Sequence, residues 1–176
     1  MKYRLRNNYS QNPQLALKEI LKDRGVTDLP NFIHPSEKCE LNPYDLDNIQ
    51  LAAEKLLKHL RNNSHICFIV DCDCDGYTSS AILWLYIKSI FPDADLTFTV
   101  HEHKQHGLED KIDWLIDEEQ FDLVLCPDSA SYDLKYHQRL AEISTDCICL
   151  DHHTIPKDDN GNDILPNPQW AIVVNN

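Results

Sequence analysis

The sequence predicts an α/β fold: a doubly wound, mainly parallel sheet with flanking helices, preceded by a helical N-terminal extension. Two observations carry that expectation. From residue 65 onward, short apolar runs alternate with longer stretches of helical periodicity, the βαβα order that puts helices on both faces of a parallel sheet. The runs are also apolar at successive positions, as in Ile66-Cys67-Phe68-Ile69-Val70. Strands buried on both faces read this way, whereas half-exposed strands alternate.

The elements follow in order. Asn12-Pro13 opens an amphipathic stretch with Leu15, Leu17, Ile20 and Leu21 near helical spacing, and Arg24-Gly25 closes it. The Pro-containing segment from Leu29-Pro30 to Asn42-Pro43 reads as irregular. A second helix is expected over about 45–62, its stripe of Leu46, Ile49, Ala52, Ala53, Leu56, Leu57 and Leu60 read as core packing. Residues 1–64 thus form the extension. In residues 65–176, strands are expected at 66–70, 96–100, 123–126, 147–150 and 171–174, and helices at 78–91, 110–119 and 134–143.

Composition bounds the function. A length of 176 residues with 42% apolar content suits one globular domain. No apolar run approaches the roughly 18–20 residues that span a bilayer. The charged opening Met1-Lys2-Tyr3-Arg4-Leu5-Arg6 runs into polar Asn7-Asn8-Tyr9-Ser10 and not into an apolar signal core. A cytosolic location, away from membranes, is the expectation. The cysteine count, seven, is odd, and most lie in or beside apolar runs, so buried thiols are expected and disulfides are not. Cys72-Asp73-Cys74 and Cys147-Ile148-Cys149 have a spacing compatible with zinc, but within a strand it puts two small residues on one face, and that packing reading is preferred. The net charge of −13, with no basic patch, argues against this chain alone gripping DNA or RNA tightly.

Polar placement points to chemistry. Asp71, Asp128 and Asp151 each follow an apolar strand within two residues, and the carboxyl ends of strands form the ligand-binding edge of open α/β sheets. Asp71, Asp73 and Asp75 alternate with cysteines, and three carboxylates this close repel unless a cation intervenes. Oxygen ligands with histidine suit Mn²⁺ or Mg²⁺. Gly76 permits a sharp exit into a helix starting near Tyr77-Thr78-Ser79, whose free N–H groups are candidates to hold a phosphate oxygen. A capping turn or a calcium loop are the alternatives. The calcium loop fails, because an EF-hand counted from Asp71 finds Gly76 at position six but Ile82, not Glu, at position twelve. Asp128 alone reads as a turn or N-cap aspartate. Asp151-His152-His153 is more specific, since adjacent histidines after an apolar strand are uncommon without a ligand.

The succession Asp71-x-Asp73-x-Asp75-Gly76-x-Thr78-Ser79, then Pro127-Asp128-Ser129, then Asp151-His152-His153, resembles motifs one to three of the DHH phosphoesterase superfamily. Within it, the match is to RecJ-like single-strand-specific 5′→3′ exonucleases, whose segment before the catalytic strand also resembles Arg24-Gly25 and Phe32-Ile33-His34-Pro35. The resemblance implies that Asp73, Asp75, Asp128 and His152 are metal ligands and that Asp71 is a ligand or an acid beside one. It implies that His153 contacts the scissile phosphate and that Asp151 orients the motif. Two Mn²⁺ or Mg²⁺ ions about 3.5–4 Å apart would activate water for in-line displacement, with no protein nucleophile. Lys104-Gln105-His106-Gly107 falls where the family has a loop beside the cleft, making Lys104, His106 and Gly107 candidate substrate contacts alongside Thr78 and Ser79. The run His101, His103, His106 reads as exposed loop histidines, with an independent zinc site as the alternative.

Two departures bear on this. Many members carry a metal-binding histidine four residues before the position of Asp73, where this chain has Ile69. The family also uses a further aspartate downstream and a substrate-binding domain, and this chain stops at Asn175-Asn176. A fragment or a reduced relative is therefore expected, lacking that C-terminal domain or relying on a protein partner. The readings that follow are a single-stranded DNA exonuclease domain, a phosphodiesterase for oligonucleotides or cyclic dinucleotides, or a truncated non-catalytic binding module.

Overall fold

A computed structural model describes residues 7, 9–101, 105–117 and 120–175. The chain divides into two compact units, Met1–Asn42 and Pro43–Asn176. In the first, helix α1 (Pro13–Asp23) starts as expected, with Pro13 in its first turn and the Asn12 side chain accepting from the Gln14 and Leu15 amides. Leu21 is its buried residue, while Leu15 and Leu17, expected on the apolar face, stay about half exposed at 51% and 48%. The segment read as irregular contains a short helix, α2 (Leu29–Ile33), because Asp28 caps the Asn31 amide and Pro30 fits the first turn.

The second unit opens with α3 (Ile49–Arg61). The division between units falls at 42/43, so this helix belongs to the same compact unit as the sheet. Its stripe supplies the reason: Ala52, Leu56 and Leu60 pack on sheet residues Phe68, Leu125 and Ile172. Strands β1 (Ile66–Val70), β2 (Leu96–Val100), β3 (Leu123–Pro127), β4 (Asp146–Asp151) and β5 (Ile172–Asn175) form one sheet of order β2-β1-β3-β4-β5. All four pairings are parallel. Helices α4 (Cys74–Ile90), α5 (Ile112–Asp117) and α6 (Leu134–Glu142) make the crossovers.

Strand periodicity of two sorts the core into two layers. Ile66, Phe68, Leu123, Leu125, Ile148 and Ile172 face α3 and α4. Cys67, Ile69, Val124, Cys126, Cys147 and Cys149 face α5 and α6, against Leu115 and Leu140. Burying each of the Ile, Leu, Val and Phe side chains among them contributes roughly 1.5–3 kcal/mol. Strand order reverses direction between β1 and β3, and the carboxyl ends of strands at such a switch point bracket a crevice where ligands bind. Among the described residues, no helix is long and apolar enough to cross a membrane.

Candidate metal centre

The aspartate run is divided among three structural roles. Asp71 is the first residue beyond β1 and is fully buried. Asp73 is the N-cap of α4, its Oδ1 accepting from the Gly76 amide at 3.1 Å. Asp75 lies in the first helical turn. The helix therefore begins at Cys74, four residues earlier than expected, because a capping aspartate and an acid in the first turn both suit the positive end of a helix. Gly76 is essential for a reason other than turn geometry. A Cβ on it would sit 2.5 Å from Asp71 Cβ and 2.9 Å from Asp71 Cα, so only glycine lets α4 pack against the end of β1.

Asp128 follows β3 directly, in the left-handed region at φ 75°, with its amide donating to the Leu150 carbonyl at 2.6 Å. That conformation, which aspartate tolerates better than most residues, turns the carboxylate over the sheet edge. One carboxylate oxygen from each of Asp71, Asp73 and Asp128 lies within 4.8 Å of the others. His152 joins them, with Nε2 3.0 Å from Asp128 Oδ1 and 3.6 Å from Asp75 Oδ2. Asp128 Oδ2 is buried without a hydrogen-bond partner. Burial, then the charges of Asp75 and Asp73, push the Asp128 carboxyl above its usual range. The Gly76 amide, followed by a hydrogen bond with Asp75, holds Asp73 below its own. An unpaired buried oxygen amid repelling carboxylates is relieved by a bound cation, and the oxygen-plus-imidazole donor set fits Mn²⁺ or Mg²⁺.

Asp151 organises the third motif. Its Oδ1 accepts from the His152 amide at 2.7 Å and the His153 amide at 3.0 Å, and faces His153 Nδ1 at 2.8 Å. Its Oδ2 accepts from the Ser131 amide at 3.1 Å. Against the opposing effect of burial, these bonds hold the Asp151 carboxyl down to about 2. The pairing with Asp151 in turn raises the His153 imidazole above its ordinary value. With Nδ1 so engaged, Nε2 of the half-exposed His153 is left on the far side of the ring.

The remaining candidates are distributed differently. His106 Nδ1 lies 2.6 Å from Asp71 Oδ2, so this loop histidine does reach the acidic cluster. Gly107 is buried with φ 75°, and a Cβ there would meet the Asp133 carboxylate, which accepts from the Leu108 amide at 2.7 Å. Its place is in the turn that presents His106. Lys104 and His103 lie outside the described residues. His101, expected to be exposed, is buried, with Nδ1 2.8 Å from Asp110 Oδ1. It and His106 therefore face different partners. Thr78 and Ser79 are inside α4, and their hydroxyls bond back to helix carbonyls, Thr78 to Cys74 at 2.8 Å and Ser79 to Gly76 at 3.2 Å. The free amides expected there belong to the preceding turn. Ser79 does line a cleft of about 340 Å³ with Asp128, Asp151, His152 and Asn175.

Asn175 is a site residue that the sequence reading missed. Its Nδ2 donates to Ser131 Oγ at 2.8 Å and to the His153 carbonyl at 3.0 Å, tying β5 to the histidine pair. The signal was available, because Asn175 follows the apolar run Ile172-Val173-Val174 as Asp71 follows Val70.

Comparison with known proteins shows the family. The model of the DHH family, N-terminal domain, matches residues 65–170. A prophage-derived protein of Bacillus subtilis (strain 168), whose name proposes a single-strand DNA-specific exonuclease, is 36% identical over 178 residues, covering all of this chain and 28% of its own length. Its counterpart in Bacillus phage SPbeta matches to the same extent. The single-stranded-DNA-specific exonuclease RecJ of Bacillus subtilis is 20% identical over 122 residues, 69% of this chain and 16% of RecJ. The crystal structure of exonuclease RecJ bound to manganese superposes with a TM-score of 0.60 at 25% identity, over 74% of this chain and 31% of that one. RecJ from Thermus thermophilus in complex with Mn²⁺ gives a TM-score of 0.59 at 24% identity over 77% of this chain and 18% of its own, a likeness of fold. The chain thus spans 28% of the length of the relatives it matches from end to end. The family match and the end-to-end relative together establish that this chain belongs to the DHH family and carries its N-terminal domain.

Proposed function

We propose that this chain is the metal-binding part of a phosphodiester hydrolase, and that the whole protein is a RecJ-like 5′→3′ exonuclease on single-stranded DNA. The observation that carries this reading is the convergence of Asp71, Asp73 and Asp128 around a buried, unpaired carboxylate oxygen at the sheet's switch point. Asp73, Asp75, Asp128 and His152 would hold divalent cations, Mn²⁺ or Mg²⁺, with Asp71 as a further ligand. Ions bound there would supply Lewis-acid stabilisation of the scissile phosphate and activation of the attacking water.

The chain's own residues do the positioning. Asp151 holds His153 at Nδ1, which directs Nε2–H toward a non-bridging phosphate oxygen. The pairing with Asp151 raises the basicity of His153, which favours the charged ring that suits a phosphate. Asp151 and Asn175 fix the backbone around the histidine pair from two sides. His106, bonded to Asp71, stands beside the cluster where a neighbouring nucleotide would lie. The seven cysteines, none in a disulfide, accord with a reducing cytosol.

The net charge of −13 favours a second reading, in which short oligonucleotides or cyclic dinucleotides are the substrates and no long basic track is needed. The test is Mn²⁺-dependent hydrolysis of a 5′-labelled single strand against a dinucleotide. Stepwise release of mononucleotides from the strand supports the exonuclease, and turnover confined to the dinucleotide supports the second reading. No turnover of either by folded chain with Mn²⁺ overturns both and leaves a binding module.

A further inference from the structure

Beneath the acidic edge lies a second group of ligand-type side chains with opposite chemistry. Cys126 of β3 is the register partner of Cys149 of β4, and Cys147 lies two residues before Cys149 on the same strand face. Their sulfurs all lie within 4.8 Å of one another, and all three residues are buried. The Cys147 and Cys149 sulfurs are 4.0 Å apart. His137 of α6 closes the group from above the sheet. Its Nε2 is 3.5 Å from Cys149 Sγ. The imidazole is fully buried and its Nδ1 has no hydrogen-bond partner.

As mere packing this arrangement is costly. Nε2 of the buried imidazole faces only thiols, which are weak hydrogen-bond partners and compensate poorly for the water it loses. As a metal site it has three sulfurs gathered within 4.8 Å and an imidazole nitrogen facing one of them. Zinc–sulfur bonds near 2.3 Å and zinc–nitrogen bonds near 2.0 Å in a tetrahedron put sulfurs about 3.8 Å apart and nitrogen about 3.5 Å from sulfur. The Cys147–Cys149 separation of 4.0 Å and the Cys149–His137 separation of 3.5 Å match that frame, and Cys126 Sγ lies within 4.8 Å of both other sulfurs.

We propose that Cys126, Cys147, Cys149 and His137 form a buried, structural Cys₃His zinc site that clamps β3, β4 and α6. Binding releases the three thiol protons and leaves no open coordination position, so the ion is enclosed as the chain folds and does no chemistry itself. Its place gives it a purpose. Cys126 stands two residues before Asp128, and Cys149 two residues before Asp151. The clamp would hold together the two strand ends that build the acidic edge, independently of what that edge does.

The test uses the full chain produced with zinc and then dialysed against EDTA, which strips the open acidic edge. Elemental analysis should find about one zinc per chain, released only on denaturation. Chain produced with cobalt should show a thiolate-to-cobalt charge-transfer band and intense tetrahedral visible bands. The band should persist in Cys67→Ser and Cys72→Ser and vanish in Cys126→Ser and Cys149→Ser. If the latter variants fail to fold, the zinc content and cobalt spectrum of the unaltered chain still decide. Folded, chelated chain without zinc and without the charge-transfer band overturns the proposal. So does a band that survives Cys149→Ser but disappears in Cys72→Ser, which would put the metal beside Asp71.

Discussion

The acidic edge and the cysteine cluster are built by the same two strands, two residues apart, and differ in almost every physical respect. At the edge, β3 and β4 deliver Asp128 and Asp151 where the backbone leaves the sheet, with half-exposed histidines around them. One step into the sheet, the same strands deliver Cys126 and Cys149 into a dry layer under α6. Hard oxygen donors near water suit exchangeable Mn²⁺ or Mg²⁺, and enclosed thiolates suit zinc. The lesson is that a strand's last turn outward changes both the donor type and the permanence of the ion it can hold.

Substitutions separate the two regions, and the most damaging fall at the edge. Asp128→Asn keeps the size and burial of the side chain but removes the charge facing Asp71, Asp73 and His152. Turnover of the preferred substrate should fall by at least about 100-fold with the fold intact by circular dichroism, since even outer-sphere changes at metal sites cost 10–100-fold. Near-normal turnover would remove Asp128 from the centre. Gly76→Ala acts on stability and site together. The new methyl meets Asp71 backbone atoms at 2.9 Å, which cannot swing aside as a flexible side chain would, so unfolding by denaturant should show a loss of about 1–3 kcal/mol. Mn²⁺ affinity should weaken with it.

His106→Ala should be milder. It removes one hydrogen bond at the rim, and KM should rise by about 5-fold if that bond is worth roughly 1 kcal/mol. Unchanged kinetics would return His106 to the role of a loop residue. Smallest is a site on the opposite end of β4, where Asp146 pairs with Lys55 at 2.7 Å and His59 at 2.9 Å. Burial opposes ionisation there, yet the two partners hold the folded carboxyl below its ordinary value. A depressed carboxyl stabilises the fold above the unfolded pKa of about 3.9, and that contribution is lost as pH falls through the folded value. Asp146→Asn should therefore cost about 0.5–1 kcal/mol at pH 7, discounted for partial exposure, with the difference from the unaltered chain closing below about pH 4. A gap that widens on acidification would contradict the pairing.

How legible each region was in the sequence follows from the kind of information that builds it. The acidic edge was legible because its residues follow apolar runs, and a parallel sheet gathers strand ends by topology alone. Asp71, Asp128 and Asp151 needed no register to be placed together. The helix start at Cys74 was not legible, because it depends on the Asp73 side chain turning back to the Gly76 amide. His101 looked like a loop histidine, and only the fold brings Asp110 to it in a buried position. The cysteine cluster was the least legible. Cys147 and Cys149 share a face by strand period, but pairing with Cys126 requires the β3–β4 register, and His137 requires the rotation of α6 over the sheet. Spacing within one strand carries none of that.

Whether the acidic edge is a catalytic metal centre is decided by titrating the full chain with Mn²⁺, followed by electron paramagnetic resonance of the free ion, in parallel with hydrolysis of the labelled strand. The expected result is binding of about two ions per chain, with turnover rising over the same concentration range and both lost in Asp128→Asn. Equal Mn²⁺ binding by the unaltered chain and by Asp128→Asn, or turnover that ignores the occupancy of the site, would contradict it.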